Sequence, residues 1–487
     1  MSKGGSAEAR IYAYVWFDIE DYVTVESDSL PLKAFAILER HGVPVTCKLV
    51  AEKARALAEH GRKDVIAAIA ERDVGYHLDT HSRHPTVYEY LGDADILEGA
   101  EQFYSRERDG LAWVERAFSV EASCFGHPGP AWAPHVYPAL RRMGIPVYLD
   151  ETAILNLGGG PYWYCGVLNL NGANENFILF DYSFEDPGGL ARLKDRFSEV
   201  HDRLERNGGA ISILFHLHTA INTRFWDEVN FGGGNNRDKK DYVRPGAQPA
   251  EVTERAWRDF DEFMGHVASP GDVHFITARD APALYRRDEV NVSRQQLADL
   301  LERVTPDLMH VTYGEEFLSP AEVFYLVTAN LSTFAESGRL PELLRPAEPY
   351  GPLAELASTG SGTVRSSEIL DRCREVFRQL NEKNTIPSSV RFLRGELSPC
   401  DFLLTASAVL KRVLTGGELP AEVGAVHGRL AETKYVDDEA FRKACQWKVL
   451  PEGFTAPKIL QQIKLQTWTL RPAVPKHLAI AGQRVFS

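Results

Sequence analysis

The stretch Ile11–Tyr22, IYAYVWFDIEDY, is an apolar run that ends in three carboxylates, Asp18, Glu20 and Asp21. An unbroken series of β-branched and aromatic residues closed by charge reads as a buried strand, with the acids standing where it ends. Working outward, LKAFAILERHG follows as a helix with a Gly C-cap, and VPVTCKLV is a second β-rich run. AEKARALAEHGRKDVIAAIAERD is helical by its Ala/Leu spacing, YPALRRMG leads into IPVYLD, and LARLKDRFSEVHDRLERNGG leads into AISILFHLH. This alternation predicts an α/β chain with a parallel sheet or barrel inside a layer of helices. It closes at VHFITARDAPALYRRD, which places a domain boundary close to residue 287. In such folds the catalytic groups collect at the C-terminal ends of the strands.

At 487 residues the chain exceeds one ordinary core, and its 44% hydrophobic and 25% charged residues are those of a globular protein. A net charge of -14 opposes a nucleic-acid partner, which needs a basic face to displace counterions. The six cysteines are scattered without a CxxC pair, so buried free thiols are expected. Residues 1–10 read as a flexible tail, the apolar run after them is too short for a signal core, and no membrane span is seen. The expectation is a cytoplasmic protein, with its oligomeric state left open.

From residue 288 to 487 the β-alternation fades and a mainly α-helical domain is expected, with internal repeats. LSPAEVFYLVTANLSTFAESGRLPEL from Leu318 aligns without gaps on LSPCDFLLTASAVLKRVLTGGELPAEV from Leu397. Each reads as a Ser N-cap, Pro at N1, about four helical turns, a Gly C-cap and a Leu-Pro exit. ILDRCREVFRQLNEKNTIPSSV is a looser third copy. The helix, cap and Pro exit weakly resemble pseudomurein-binding repeats of cell-wall proteins.

Three polar clusters carry chemistry. Carboxylates as crowded as Asp18, Glu20 and Asp21 require a cation or a shared proton. In GYHLDTHSRHP, His77, His81 and His84 would share one face of a helix, and histidines at i and i+4 grip a metal ion. In ISILFHLHT, His216 and His218 end a strand on one side of it. All histidines except His310, His427 and His477 precede the boundary. NFGGGNNRDKKDY, from Asn230, reads as a surface loop or a lid and lacks the strand–GxxxxGK–helix context of a phosphate loop.

In this order the clusters from about residue 11 to 285 resemble the polysaccharide deacetylase family (NodB homology, carbohydrate esterase family 4). WFDIEDYV matches its first motif, GYHLDTH its His-x3-His, ILFHLH its late histidine, and VHFITARDAPALYRR its closing strand and helix. The resemblance implies a distorted (β/α)7-type barrel over 11–287 and one divalent metal ion held by an acid and two histidines. Zinc comes first, with cobalt, nickel and iron also suited to that donor set. It makes Asp18 the general base, Asp21 or Glu20 the acidic ligand, His77 and His81 the other ligands, and His216 or His218 the acid toward the leaving amine. Because Pro85 follows His84 rather than His81, His84 is a rival ligand. In CFGHPGPAWAP, Gly126 or His127 stands where the family's supporting arginine belongs, which takes a positive neighbour from Asp18. His127, Pro128, Gly129 and Trp132 are then expected on the substrate and oxyanion side. The expected activity is metal-dependent removal of N-acetyl groups from an N-acetylated carbohydrate. Hydrolysis of a non-sugar amide and an impaired glycan-binding protein are the alternatives.

Overall fold

The computed structural model describes residues 10–150, 152–171, 175–285, 287, 289–359 and 362–476. The tail expected over 1–10 therefore lies outside the described residues except for Arg10. The strands are β1 (Ile11–Ile19), β2 (Val45–Leu49), β3 (Asp73–Tyr76), β4 (Cys124–Phe125) and β5 (Val147–Asp150), then β6 (Tyr162–Tyr164), β7 (Val167–Asn171), β8 (Phe177–Leu179), β9 (Gly209–Phe215) and β10 (Val273–Phe275). In space β8, β9, β1, β2, β3, β4, β5 and β7 are neighbours in that order, and every pair is parallel. Helices fill the connections from β1 through β5 and from β8 to β9, and the sheet curls into a half-barrel.

Strand β1 shows why the acids end where they do. Ile11, Ala13, Val15, Phe17 and Ile19 belong to the core beneath the helices, whereas Tyr14 and Trp16 pack inside the barrel with Leu149, Leu168 and Leu214. Period-two geometry then sends Asp18 inward, on top of that inner core. The helix Leu30–His41 stops at Gly42, whose φ of 66° is the left-handed conformation of a Gly cap. The helical run after β2 is two helices, Ala51–Glu59 and Lys63–Ala70, which turn at Gly61.

The repeats form a second core, in which Leu326, Val327, Leu380, Leu403 and Leu410 pack together. Ser319 and Ser398 cap helices Pro320–Ser337 and Pro399–Leu414 as their sequences indicate. The exits differ: Gly338 takes the left-handed C-cap in the first copy, whereas Gly416, not Gly417, adopts positive φ in the second. Each of these helices is preceded by a hairpin, Val311–Tyr313 with Glu316–Leu318 and Val390–Phe392 with Gly395–Leu397. The repeating unit is thus a hairpin plus a helix, and its β half was not read from the sequence.

The last part of the chain departs from the expected helical domain over 288–487. Phe441, Leu450, Ile459, Ile463 and Leu470 are buried in the barrel's outer core. Arg471–Pro472 pairs antiparallel with β6, and Tyr164 Oη donates to the Ile463 carbonyl at 2.9 Å. The helical unit draws its own core mainly from Val290 to Leu430, while the segment beyond Tyr435 returns to the barrel. Composition conceals this, because a helix that packs on a foreign core looks like one that packs on its neighbours. Among the described residues no helix is long and apolar enough to cross a membrane.

A chain ended at residue 434 would strip those five apolar side chains from the barrel, a loss on the order of 10 kcal/mol that rivals the stability of a whole domain. Such a chain should aggregate or show no cooperative near-UV transition on heating. A soluble fragment with a sharp transition would mean the segment is not part of that core.

Candidate metal centre and active site

Seven adjacent strands deliver one group each at or just beyond their C-terminal ends: Asp181, His216, Asp18 (with Glu20), Lys48, His77, Gly126 and Asp150. Glu20 is the hub. Its Oε2 lies 3.3 Å from His77 Nε2 and 2.9 Å from His81 Nε2, and its Oε1 lies 3.1 Å from both His218 Nε2 and Trp226 Nε1. The expected histidine helix is absent. Leu78 and His81 have positive φ values of 68° and 61°, left-handed conformations that a side chain adopts at a cost, and the resulting loop brings the His77 and His81 rings to 4.9 Å. Glu107 braces this loop from below, accepting from Tyr76 Oη at 2.6 Å and from the Asp79 amide at 2.8 Å.

The donor set fits a divalent cation. His77 Nδ1 faces the Gly126 carbonyl at 3.0 Å, so its proton sits there and its Nε2 presents a lone pair toward Glu20. His81 Nδ1 is oriented by Ser82 Oγ at 2.6 Å, and that hydroxyl donates to Asp227. His81 Nε2 is buried without a hydrogen-bond partner. Two lone-pair nitrogens converging on one carboxylate oxygen repel unless a cation lies between them, and Glu20, His77 and His81 lie close enough together to hold one. Where protons on these nitrogens take the cation's place, burial still works against ionised Glu20, yet a charged His81 and hydrogen bonds from the histidines keep it well below the usual carboxylate range.

Asp18 stands beside this cluster. Its Oδ1 is 3.1 Å from Lys48 Nζ, and its Oδ2 is 3.4 Å from His216 Nε2 and 3.8 Å from His77 Nε2. Lys48 is fully buried, also contacts Asp150 Oδ2 at 3.3 Å, and lies over the Trp16 ring. A Cβ at Gly126 would collide with Lys48 Nζ and Asp150 Oδ2. The positive neighbour that the third motif withholds from Asp18 is therefore supplied by β2, through space that only glycine leaves free. Burial raises the Asp18 carboxyl, but Lys48 first and then His77 and His216 outweigh it and hold it far below the ordinary range. His216 is tied to Asp181, through Nδ1 at 2.6 Å and its amide at 2.8 Å.

Other expected residues go elsewhere. Asp21 accepts the Val23 and Thr24 amides and Asn222 Nδ2, so it caps a turn and does not reach the histidines; Glu20 does. His84 is no ligand here, because Glu89 and the Phe231 carbonyl occupy its two ring nitrogens. Trp132 is fully buried in the outer core, bonded to Tyr137 Oη, and so is not on the substrate side. His216 and His218 do not continue β9 but turn into a short 3-10 helix, which sends His218 to Glu20 and His216 to Asp18. His127 is anchored through Nδ1 by Tyr148 Oη at 2.9 Å and Asp150 at 3.2 Å, and its Nε2 has no hydrogen-bond partner. Pro128 and Gly129 form the turn after it. Lys48, Asp150 and Asp181 were missed, although Lys48 was readable as a lone charge near the end of the apolar strand VTCKL.

No family model matches the chain, and no curated protein does. Among solved structures, one described as a polysaccharide deacetylase from Mycobacterium smegmatis is 16% identical, with a TM-score of 0.34 over 56% of this chain and 88% of that one. The Puue allantoinase is 12% identical, with a TM-score of 0.38 over 57% and 93%. A family 4 acetyl xylan esterase from Clostridium thermocellum, in complex with a cobalt ion, is 12% identical, with a TM-score of 0.32 over 56% and 91%.

Replacing Lys48 with Met leaves two buried carboxylates facing each other, which should cost about 3–5 kcal/mol by denaturant titration. Adding Asp150→Asn should recover part of that loss; no loss in the single variant would mean the lysine is not paired. Glu107 offers a second measurement. Burial pushes its carboxyl up to about 7, so the folded state prefers the protonated form. The stability it contributes is complete below the unfolded glutamate value and fades as pH climbs through its folded value. Wild-type melting temperature should fall relative to Glu107→Gln between about pH 5 and about pH 8. Parallel curves would contradict this.

Proposed function

We propose that the protein is a metal-dependent hydrolase that cleaves the C–N bond of an N-acyl group. What supports this most is the pairing within one buried cluster of a Glu20–His77–His81 donor set with a separate Asp18 and His216–Asp181 couple. A bound divalent ion supplies Lewis acidity, lowering the pKa of water and polarising an acyl carbonyl. Asp18, held ionised by Lys48, accepts the proton of the attacking water. Burial disfavours a charged His216, but Asp181 and then Asp18 raise it well above the ordinary histidine value, so its Nε2 carries a proton for the leaving nitrogen. His218 positions Glu20 through its Nε2 contact. The free Nε2 of His127 is available to a substrate donor. With Lys48 beside Asp18, the impaired-enzyme reading loses one of the two observations behind it, the missing arginine, and keeps only the helical repeats.

An N-acetylated amino sugar is the first substrate class. A non-sugar amide is favoured by one observation: none of Asp18, Glu20, His77, His81, His216 and His218 is more than 8% exposed, which suits a compact molecule.

Metal analysis of the purified protein, with acetate release from N-acetylated sugars and simple amides, tests both. His77→Ala/His81→Ala should purify folded but without metal. Asp18→Asn should keep the ion and lose turnover, and His216→Ala should lose about a hundredfold or more in rate while His218→Ala loses less. A double histidine variant that retains a full equivalent of metal would contradict the ligand set.

A further inference from the structure

The segment that returns from the helical unit reaches the candidate active site. Helix Asp438–Ala444 ends beside it, and the turn that follows is strapped to the loop after His218: Gly233 and Gly234 donate to the Lys448 and Val449 carbonyls at 2.9 and 3.0 Å, and Lys448 pairs with Glu228 at 3.0 Å. Trp447 projects from this turn. Its indole lies over Gly129 so closely that a Cβ there would collide with it, and its ring stands edge-on to His81 at 6.4 Å. Trp447 is only partly buried, although its neighbours Val449 and Leu450 are fully so. Trp226 lies 5.4 Å from the His81 ring, and Phe225 lies 5.2 and 4.8 Å from His216 and His218.

Three aromatic rings thus wall the histidines, and one of them comes from the far end of the chain. We infer that Trp447 is a specificity-determining residue, whose indole face receives a single ring of the substrate, and that the site takes one ring beyond the scissile bond rather than a polymer strand. This rests on the metal-dependent reading above and names its substrate class. The chemistry is ordinary. A partly exposed indole beside a polar, buried centre offers a flat apolar surface to an aromatic or pyranose ring, and such stacking adds to the burial of its area. Gly129 is required because only a residue without Cβ lets the indole approach the turn that follows His127. Phe225 and Trp226 pack directly against the histidine rings, and with Asp18, Glu20 and the four histidines each no more than 8% exposed the centre suits one compact ring rather than a strand.

Hydroxamates, which chelate zinc through their own two oxygens, test this by titration calorimetry on the full chain loaded with zinc. Acetohydroxamate carries no ring, benzohydroxamate one and 4-phenylbenzohydroxamate two. The wild type should bind benzohydroxamate most tightly. Trp447→Ala should weaken benzohydroxamate about tenfold, leave acetohydroxamate within about twofold, and bind the two-ring probe better than the wild type does. Trp447→Phe should keep most of the preference, with metal content unchanged in both variants. Equal weakening of all probes, or none, would show that Trp447 only holds the fold, and tight wild-type binding of the two-ring probe would overturn the size limit. If zinc-loaded wild type binds no hydroxamate, the metal reading itself fails and carries this inference down with it.

Discussion

A lysine ammonium shut away from water between two carboxylates, Lys48 between Asp18 and Asp150, is the interaction on which the rest depends. Burying any one of these charges alone would cost several kcal/mol, so the three must be placed together, which the curled sheet does by bringing β1, β2 and, from three strands beyond β2, β5 to one point. The register that sets Asp18 opposite Lys48 is therefore as much a requirement of the site as the residues are. Gly126 completes the arrangement by having no side chain, and its carbonyl fixes the tautomer of His77. One glycine thus serves both halves of the site: the charge cluster behind Asp18 and the donor set in front of it.

The site is built in two tiers. Glu20, His77 and His81 converge on a point suited to a cation, whereas Asp18 and His216 flank that point, each braced by an opposite charge from behind. The braces push in opposite directions. Lys48 keeps a carboxylate ionised and Asp181 keeps an imidazole protonated, so a base and an acid coexist at 3.4 Å. The left-handed conformations of Leu78 and His81 place strain in the histidine loop, and Glu107 holds that loop down through Tyr76 and the Asp79 amide.

The chain's two cores are joined by more than a linker. Arg471, almost fully buried, reaches Glu322 of the first repeat helix at 3.3 Å and Glu348 at 3.1 Å while its backbone pairs with β6. Trp468 packs in the helical core, only two residues from Leu470 in the barrel core. The helical unit therefore holds one end of the segment whose other end carries Trp447.

The sequence by itself determined the strand–helix alternation, the end of β1 in acids, the histidine clusters and the capped repeat helices, because all of these are local: they follow from period, cap chemistry and charge within a dozen residues. It also brought Asp18, His77, His81 and His216 forward as a group, since Asp18, His77 and His216 sit at apolar-to-polar transitions that mark strand ends and His81 follows His77 at the i+4 spacing. Only the tertiary structure separated Glu20, which faces His77 and His81, from Asp21, which caps a turn, because the two differ by which face a turn presents and not by composition. It gave the polar atoms of His84 and Trp132 other partners, Glu89 and the Phe231 carbonyl for the first and Tyr137 for the second. It returned a cation to Asp18 from β2 and carried Trp447 to the His81 ring and Gly129. Those outcomes depend on contacts between residues far apart along the chain, such as Asp18 with Lys48 and Gly129 with Trp447, and no local pattern encodes which distant residue fills the space a glycine leaves.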